Sequence, residues 1–174
     1  DDAIQIIDEF HIPEEAVQLV AEEGMIYLLK EGSIDNAIQI IDKFHIPEET
    51  IQNPEVQSAA EEAMIYSLKE GYVDDAIKII EKFHIPEETI QSSEVQSAAK
   101  ERMIGLLKEG RVRDATQIIN KFHIPEETIQ SPEVQSAAKE RMINWLKEGC
   151  FVNHVIEIID KFHIPEETIQ SSAV

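Results

Sequence analysis

The residues best suited to chemistry in this chain recur at regular intervals. The tetrapeptide Phe-His-Ile-Pro starts at Phe10, Phe44, Phe83, Phe122 and Phe162, placing His11, His45, His84, His123 and His163 in matching surroundings. Imidazoles hold metals and move protons near neutral pH. A shared zinc, however, needs its ligand nitrogens about 2.0–2.1 Å from one ion. Equivalent residues of packed helical units stand roughly 10 Å apart or more, because helix axes pack at about 8–10 Å. No two of these histidines can serve one ion, and no metal or other cofactor is expected. Each falls at the end of a helix, where an imidazole can meet unpaired carbonyls and the negative end of the dipole.

The other chemical groupings are weaker. The pairs Glu48-Glu49, Glu87-Glu88, Glu126-Glu127 and Glu166-Glu167 each follow a proline. They could form a ladder of acids that draws cations, or stabilise the N-terminus of a short helix, which favours acids. Their spacing is not that of an EF-hand, which needs alternating oxygen ligands and a glycine within about 12 residues. Cys150 has His154 close by in sequence, but neither is repeated and no third orienting group is evident. The glycines are isolated helix terminators, not a phosphate-cradling loop. The chain is expected not to be an enzyme.

Charge narrows the partners. Fifteen Lys and Arg against 35 Asp and Glu give a formal net charge of −20. Phosphate contacts supply most non-specific affinity for DNA or RNA, so nucleic acid is not expected, and anionic membranes are disfavoured likewise. Basic proteins or peptides are the favoured partners. No apolar run approaches the roughly 18 residues of a membrane span, and no basic-then-apolar leader opens the chain. A single cysteine excludes an internal disulfide. A cytoplasmic setting is the default these features leave.

The elements that carry the histidines come from one repeat. Lys-Glu-Gly ends at Gly32, Gly71, Gly110 and Gly149, each 39 residues after the last, and segments 54–92 and 93–131 are identical at 29 of 39 positions. Such self-similarity marks an array of stacked units. In one unit, Ser131 fits an N-cap, Pro132 the first helical position and Gly149 the left-handed position that ends the helix. Val134, Ala137, Ala138, Met142 and Leu146 then fall on one face, with the paired alanines permitting close helix approach. A second helix begins near Asp74 and runs through Ala76, Ile79, Ile80 and Phe83 at spacings of three and four. Ile85, before Pro86, leaves the helical region, and Pro86–Gln91 reads as one further helical turn. The expected fold is all-α: an α-solenoid of stacked helical hairpins with a short third helical segment per repeat. Residues 1–174 form a single array of about four to five units. Asp1 aligns with Asp74 and Val174 with Val95, so both ends fall within a unit. A slice of a longer array is expected, with end-to-end self-association through uncapped repeats as a corollary.

The stretch Leu107-Lys108-Glu109-Gly110-Arg111-Val112-Arg113-Asp114-Ala115 resembles the turn of tetratricopeptide and pentatricopeptide repeats. In those families a glycine ends the first helix and a small residue follows five positions later, as in Gly32/Ala37, Gly71/Ala76 and Gly110/Ala115. Phe83 and Phe122 sit near their late packing residue, and Pro86 and Pro125 near their terminal proline. The period of 39, the Met103 in place of a small residue, and the insertion that leaves His154 and Val155 after Gly149 depart from the pattern. The resemblance implies a right-handed stack of helical hairpins and a binding role, with a three-helix repeat of the armadillo kind as the alternative.

Variation between units points to the binding face. Late in the first helix stand Tyr27-Leu28, Tyr66-Ser67, Gly105-Leu106 and Asn144-Trp145; past the glycine come Ser33, Tyr72, Arg111 and Phe151, then Asp35, Asp74, Arg113 and Asn153. Tyr, Trp and Arg commonly anchor interfaces. The candidate partner-binding residues are therefore Tyr66, Tyr72, Asp74, Arg111, Arg113, Asn144, Trp145 and Phe151. The chain reads as a protein- or peptide-binding scaffold, with a nucleic-acid-binding array, or a purely structural self-associating one, as alternatives. Labelled RNA and DNA should give no gel shift at about 150 mM salt; a clear shift would reverse the order of these readings.

Overall fold

The computed structural model describes residues 13–149 and 152–165. Every regular element among them is an α-helix, and none is long and apolar enough to cross a membrane. Contacts divide the chain into two compact units, Asp1–Pro86 and Glu87–Val174.

In the first unit α1 (Glu14–Lys30) turns back into α2 (Ile34–Phe44), and the short α3 (Glu48–Ile51) leads into α4 (Pro54–Glu70) and α5 (Val73–Lys82). The hairpins α1–α2 and α4–α5 lie against each other, α1 on α4 and α2 on α5. The second unit repeats this plan with α6 (Glu87–Ile90), α7 (Ser93–Glu109), α8 (Val112–Lys121), α9 (Glu126–Ile129), α10 (Pro132–Glu148) and α11 (Val152–Phe162). There α7 packs on α10 and α8 on α11, while each short helix leans on the long one that follows it.

Local chemistry accounts for the boundaries. Asn53 Oδ1 accepts the Glu55 N–H at 2.9 Å, and Ser92 Oγ accepts that of Val95 at 3.4 Å. Ser131 holds the same position before Pro132 without a side-chain cap bond. The long helices end at Gly32, Gly71, Gly110 and Gly149, with φ of 72°, 92°, 83° and 68°. This left-handed turn lets the following N–H reach back five residues, as from Tyr72 to the Ser67 carbonyl and from Arg111 to that of Leu106, both at 2.8 Å. The second helices close in the same way with histidine in place of glycine. His45, His84, His123 and His163 have φ of 49°, 47°, 45° and 49°, and the next N–H returns to the helix, as from Ile85 to the Ile80 carbonyl. The expectation that the imidazoles meet unpaired carbonyls is thus corrected, because backbone N–H groups and, at Phe83, Phe122 and Phe162, glutamine side chains satisfy them.

The core follows the apolar stripes. Phe83, Phe122 and Phe162 are fully buried, as are Ala60, Ala99 and Ala138, where neighbouring helices need a small side chain. Full burial of one such ring is worth about 1.5–3 kcal/mol. One stripe differs from expectation. On α10 it is Trp145, at 6% exposure, that enters the core, while Leu146 is 42% exposed. The two stand three and four residues beyond Met142, both within the width of a helical stripe, and in the preceding repeats both positions are buried, at Ser67 and Leu68 and at Leu106 and Leu107.

A glutamine clamp joins the elements of each repeat. Gln57 Nε2 donates to the carbonyls of Ile51 and Phe83 at 2.9 and 2.7 Å. Gln96 does the same to Ile90 and Phe122 at 2.9 and 2.7 Å, and Gln135 to Ile129 and Phe162 at 3.1 and 2.6 Å. Each carboxamide thereby supplies a donor to the end of a short helix and to the end of the second helix of its own hairpin. The clamp spans 26 residues to Phe83 and to Phe122, and 27 to Phe162. Replacing Gln96 with Leu strands two carbonyls, and each such orphan costs about 1–3 kcal/mol. Gln96→Leu should therefore lower the urea midpoint clearly, and Gln117→Leu, at an exposed position, should not; equal effects would remove the clamp's special role.

Candidate interaction surface

The second contact common to the repeats is a latch between neighbouring ones. His84 Nδ1 meets Glu48 Oε1 at 2.8 Å, His123 Nδ1 meets both oxygens of Glu87 at 2.8 and 2.9 Å, and His163 Nδ1 meets Glu126 Oε1 at 2.7 Å. An ionised carboxylate only accepts, so Nδ1 carries the proton in each pair. The first acid of each proline-linked pair is therefore committed to the framework, while Glu49, Glu88 and Glu127 are exposed. The His hydrogen bond is the main reason the carboxyls of Glu48, Glu87 and Glu126 are held below their ordinary range. Glu166 and Glu167 lie outside the described residues, as do Cys150 and His11. Among the described residues no group of three or more His, Cys, Asp or Glu is arranged to hold a metal ion.

Upon this frame the variable residues gather where the long helix turns into the second one. In the first unit Tyr66 is 54% and Tyr72 58% exposed, and Tyr27, equivalent to Tyr66, is 63% exposed. Tyr66 leans over the preceding turn, its Cε1 3.8 Å from where a Cβ on Gly32 would stand. Asp74 is exposed in the first turn of α5. A shallow groove of about 430 Å³ follows the α1–α4 seam, between Ile26 and Lys30 on one side and Glu55, Ser58 and Glu62 on the other. Glu62 precedes Tyr66 by one helical turn.

The second unit carries charge at the equivalent places. Arg111 Nε meets Asp114 Oδ2 at 2.6 Å, and its guanidinium lies 3.8 Å from Glu109. Glu109 is itself held by two hydrogen bonds from Arg102, at 2.9 and 3.3 Å, which keep its carboxyl below the ordinary range. Arg111 is exposed, but its charge is largely matched within its own hairpin. Arg113 and Asn144 are exposed. Arg141 donates to the Leu107 carbonyl at 3.1 Å and to that of Lys108, placing a cation at the negative end of α7.

Trp145 does not belong to this surface. The indole is buried, with the Arg141 guanidinium 5.4 Å from its ring and the His154 ring at 5.3 Å. It anchors the α10–α11 hairpin, and His154 serves the same packing. Phe151 lies outside the described residues. The structure thus brings Tyr66, Tyr72 and Asp74 to one end of the first unit and Arg111 and Arg113 to a turn of the second. The clamping glutamines were missed from sequence; their signal was an unchanged Gln57, Gln96 and Gln135 beside positions that vary. Comparison with protein-family models, with curated proteins and with solved structures found no match.

The latch carries a pH signature. A carboxyl whose folded value is depressed adds stability that is present above its unfolded value and lost as pH falls through the folded one. The difference in melting temperature between the native chain and Glu87→Gln should therefore shrink as pH falls from about 6 to about 3. A difference that stayed constant over that range would show that the pair adds nothing.

Proposed function

We propose that the chain is an interaction scaffold: an α-solenoid of tandem helical hairpins, similar in plan to tetratricopeptide-type repeats, that binds a protein or peptide through the turn ends of its hairpins. The observation that carries this reading is the contrast between two sets of residues. The clamps and latches are the same from repeat to repeat, whereas the exposed residues at the hairpin turns change, from Tyr66, Tyr72 and Asp74 to Arg111 and Arg113. A constant frame with a changing exposed edge suits recognition in which each repeat contributes its own contact.

The partner's chemistry follows from the surroundings. With a net charge of −20, and exposed tyrosines beside Asp74 and Glu62, the first unit suits an extended basic peptide. Lys and Arg side chains are attracted both to carboxylates and to tyrosine faces, the latter by about 0.5–1 kcal/mol at exposed sites. The open α1–α4 groove fits an extended segment better than an enclosed small molecule. No catalytic role is assigned.

The test is capture from lysate with the native chain and with a Tyr66→Ala/Tyr72→Ala variant, followed by affinity measurement on whatever protein is retained. Both tyrosines are exposed, so the variant should keep its helical circular dichroism. Loss of at least tenfold in affinity, about 1.4 kcal/mol, with weaker binding in salt, supports the reading. Equal binding by the variant would displace the site, and retention of nucleic acid alone would replace the function.

A further inference from the structure

Each unit has a seam where the long helix of one hairpin meets the long helix of the next. In the second unit a side chain of the protein itself closes that seam. Arg141 of α10 reaches across to the end of α7, where Nε donates to the Leu107 carbonyl at 3.1 Å and a terminal nitrogen to that of Lys108. The guanidinium lies against the turn. Its Cζ is 2.9 Å from where a Cβ on Gly110 would stand, and 5.4 Å from the Trp145 ring. About 50 Å³ of open space is left there, with Lys108, Ala137 and Glu140 in its walls.

The first unit has the same seam without the arginine. Leu29, Lys30 and Gly32 stand where the second unit has Leu107, Lys108 and Gly110, and Ala59 and Glu62 where it has Ala137 and Glu140. At the position of Arg141, however, α4 carries Ala63, whose methyl group has nothing to donate. Among the described residues, chain neighbours aside, the nearest atom to a Cβ on Gly32 is Tyr66 Cε1, at 3.8 Å. The place that the guanidinium fills in the second unit is therefore open in the first. The groove is correspondingly larger, at about 430 Å³, and is lined by the acids Glu55 and Glu62 and the cation Lys30. Its two walls, α1 and α4, pack on each other within one unit.

We propose that this open place receives an arginine side chain of the partner, whose guanidinium donates to the Leu29 and Lys30 carbonyls as that of Arg141 does to Leu107 and Lys108. The inference rests on the reading of the chain as a peptide-binding scaffold, and it names the residue that the first unit selects. The Leu29 carbonyl already accepts the Gly32 N–H at 3.0 Å, but so does that of Leu107 accept the Gly110 N–H at 3.1 Å, and each carbonyl has a second lone pair. The end of a long helix is negative, and Glu62 adds to that field. Lys30 stands beside the place, just as Lys108 stands beside Arg141 without displacing it. A guanidinium presents its N–H groups in a fixed planar fork and is weakly hydrated, whereas the lysine ammonium is a compact, strongly hydrated point charge. Two adjacent carbonyls at a helix end therefore favour arginine over lysine at equal peptide charge. Tyr66 gives the arginine an aromatic neighbour, as Trp145 does for Arg141.

The experiment compares labelled Gly-Ser peptides of equal length and charge, one carrying spaced arginines and the other lysines at the same places, at about 150 mM salt, where long-range attraction to the acidic chain is screened. The native chain should bind the arginine peptide at least tenfold more tightly; equal affinity overturns the inference. Ala63→Arg should fill the groove from within and cut affinity for the arginine peptide to that for the lysine peptide. Both α7 and α10 carry arginine at this position, as Arg102 and Arg141, so the helix accepts it. A variant that keeps both its helical spectrum and the full preference overturns the inference. A measurement on the native chain needs no variant: N-acetylarginine amide should shift the amide resonances of Glu31, Gly32 and Ser33. Shifts that are absent there, or equal with N-acetyllysine amide, overturn it too. Failure of the scaffold's tyrosine site reads differently. If Tyr66→Ala/Tyr72→Ala loses the captured partner while the native chain binds both peptides equally, the scaffold reading stands and the arginine site falls. If that variant captures as the native chain does while Ala63→Arg abolishes the preference, the arginine site stands and the tyrosine site falls.

Discussion

A helix that ends inside a packed array leaves carbonyls facing neither water nor a following turn, and the repeats depend on how that problem is met. Two such ends converge in each hairpin, one from the short helix and one from the second helix. A single glutamine in the first turn of the long helix serves both, because a carboxamide nitrogen carries two hydrogens. Gln57, Gln96 and Gln135 each bridge the two carbonyls, and the positions of three helices are set by one side chain. Nothing shorter reaches, and a carboxylate in its place would turn acceptor toward acceptor. The arrangement has a cost: the amide oxygens of Gln57 and Gln96 are buried with no hydrogen-bond partner. Three aligned repeats keep the motif despite that cost, which shows how much the two carbonyls need a donor.

Much of this architecture was legible because its signals are local. Pro54 and Pro132 open long helices, Gly71 and Gly110 close them, and Phe83 completes a stripe at helical spacing, each for reasons contained within a few residues. The clamp was not legible, since its acceptors are backbone carbonyls and leave no mark on residue identity. The latch was half legible: His84 and His123 were placed at helix ends, but their partners stand 36 residues earlier and meet them only once hairpins stack. Trp145 was misplaced because its position is buried in the neighbouring repeats as well, at Ser67 and Leu106, whatever the residue's size. Of the surface, Tyr66, Tyr72, Asp74, Arg113 and Asn144 are exposed as the variation suggested. Arg111 is exposed but already bound to Asp114, a pairing that variation alone could not reveal.

The acidity of the chain divides along the same line. Some carboxylates are structural: Glu48, Glu87 and Glu126 hold histidines, while Asp35 and Asp75 share Lys78 at 2.7 and 3.1 Å. These exposed pairs are each worth little alone; the Glu–His pair recurs in three repeats, while Lys78 is replaced by Gln117 in the next. Glu49, Glu88 and Glu127 are exposed and add to the negative field.

The extra residue after Gly149 has a consequence for how such a chain can change. It lengthens the clamp from 26 to 27 residues and the latch from 36 to 37, yet both sets of bonds close as they do in the other repeats. The one added residue between Gly149 and His163 thus leaves the contacts of the helix end as they are in the other repeats. The turn is thus the seam at which the repeat accepts insertion.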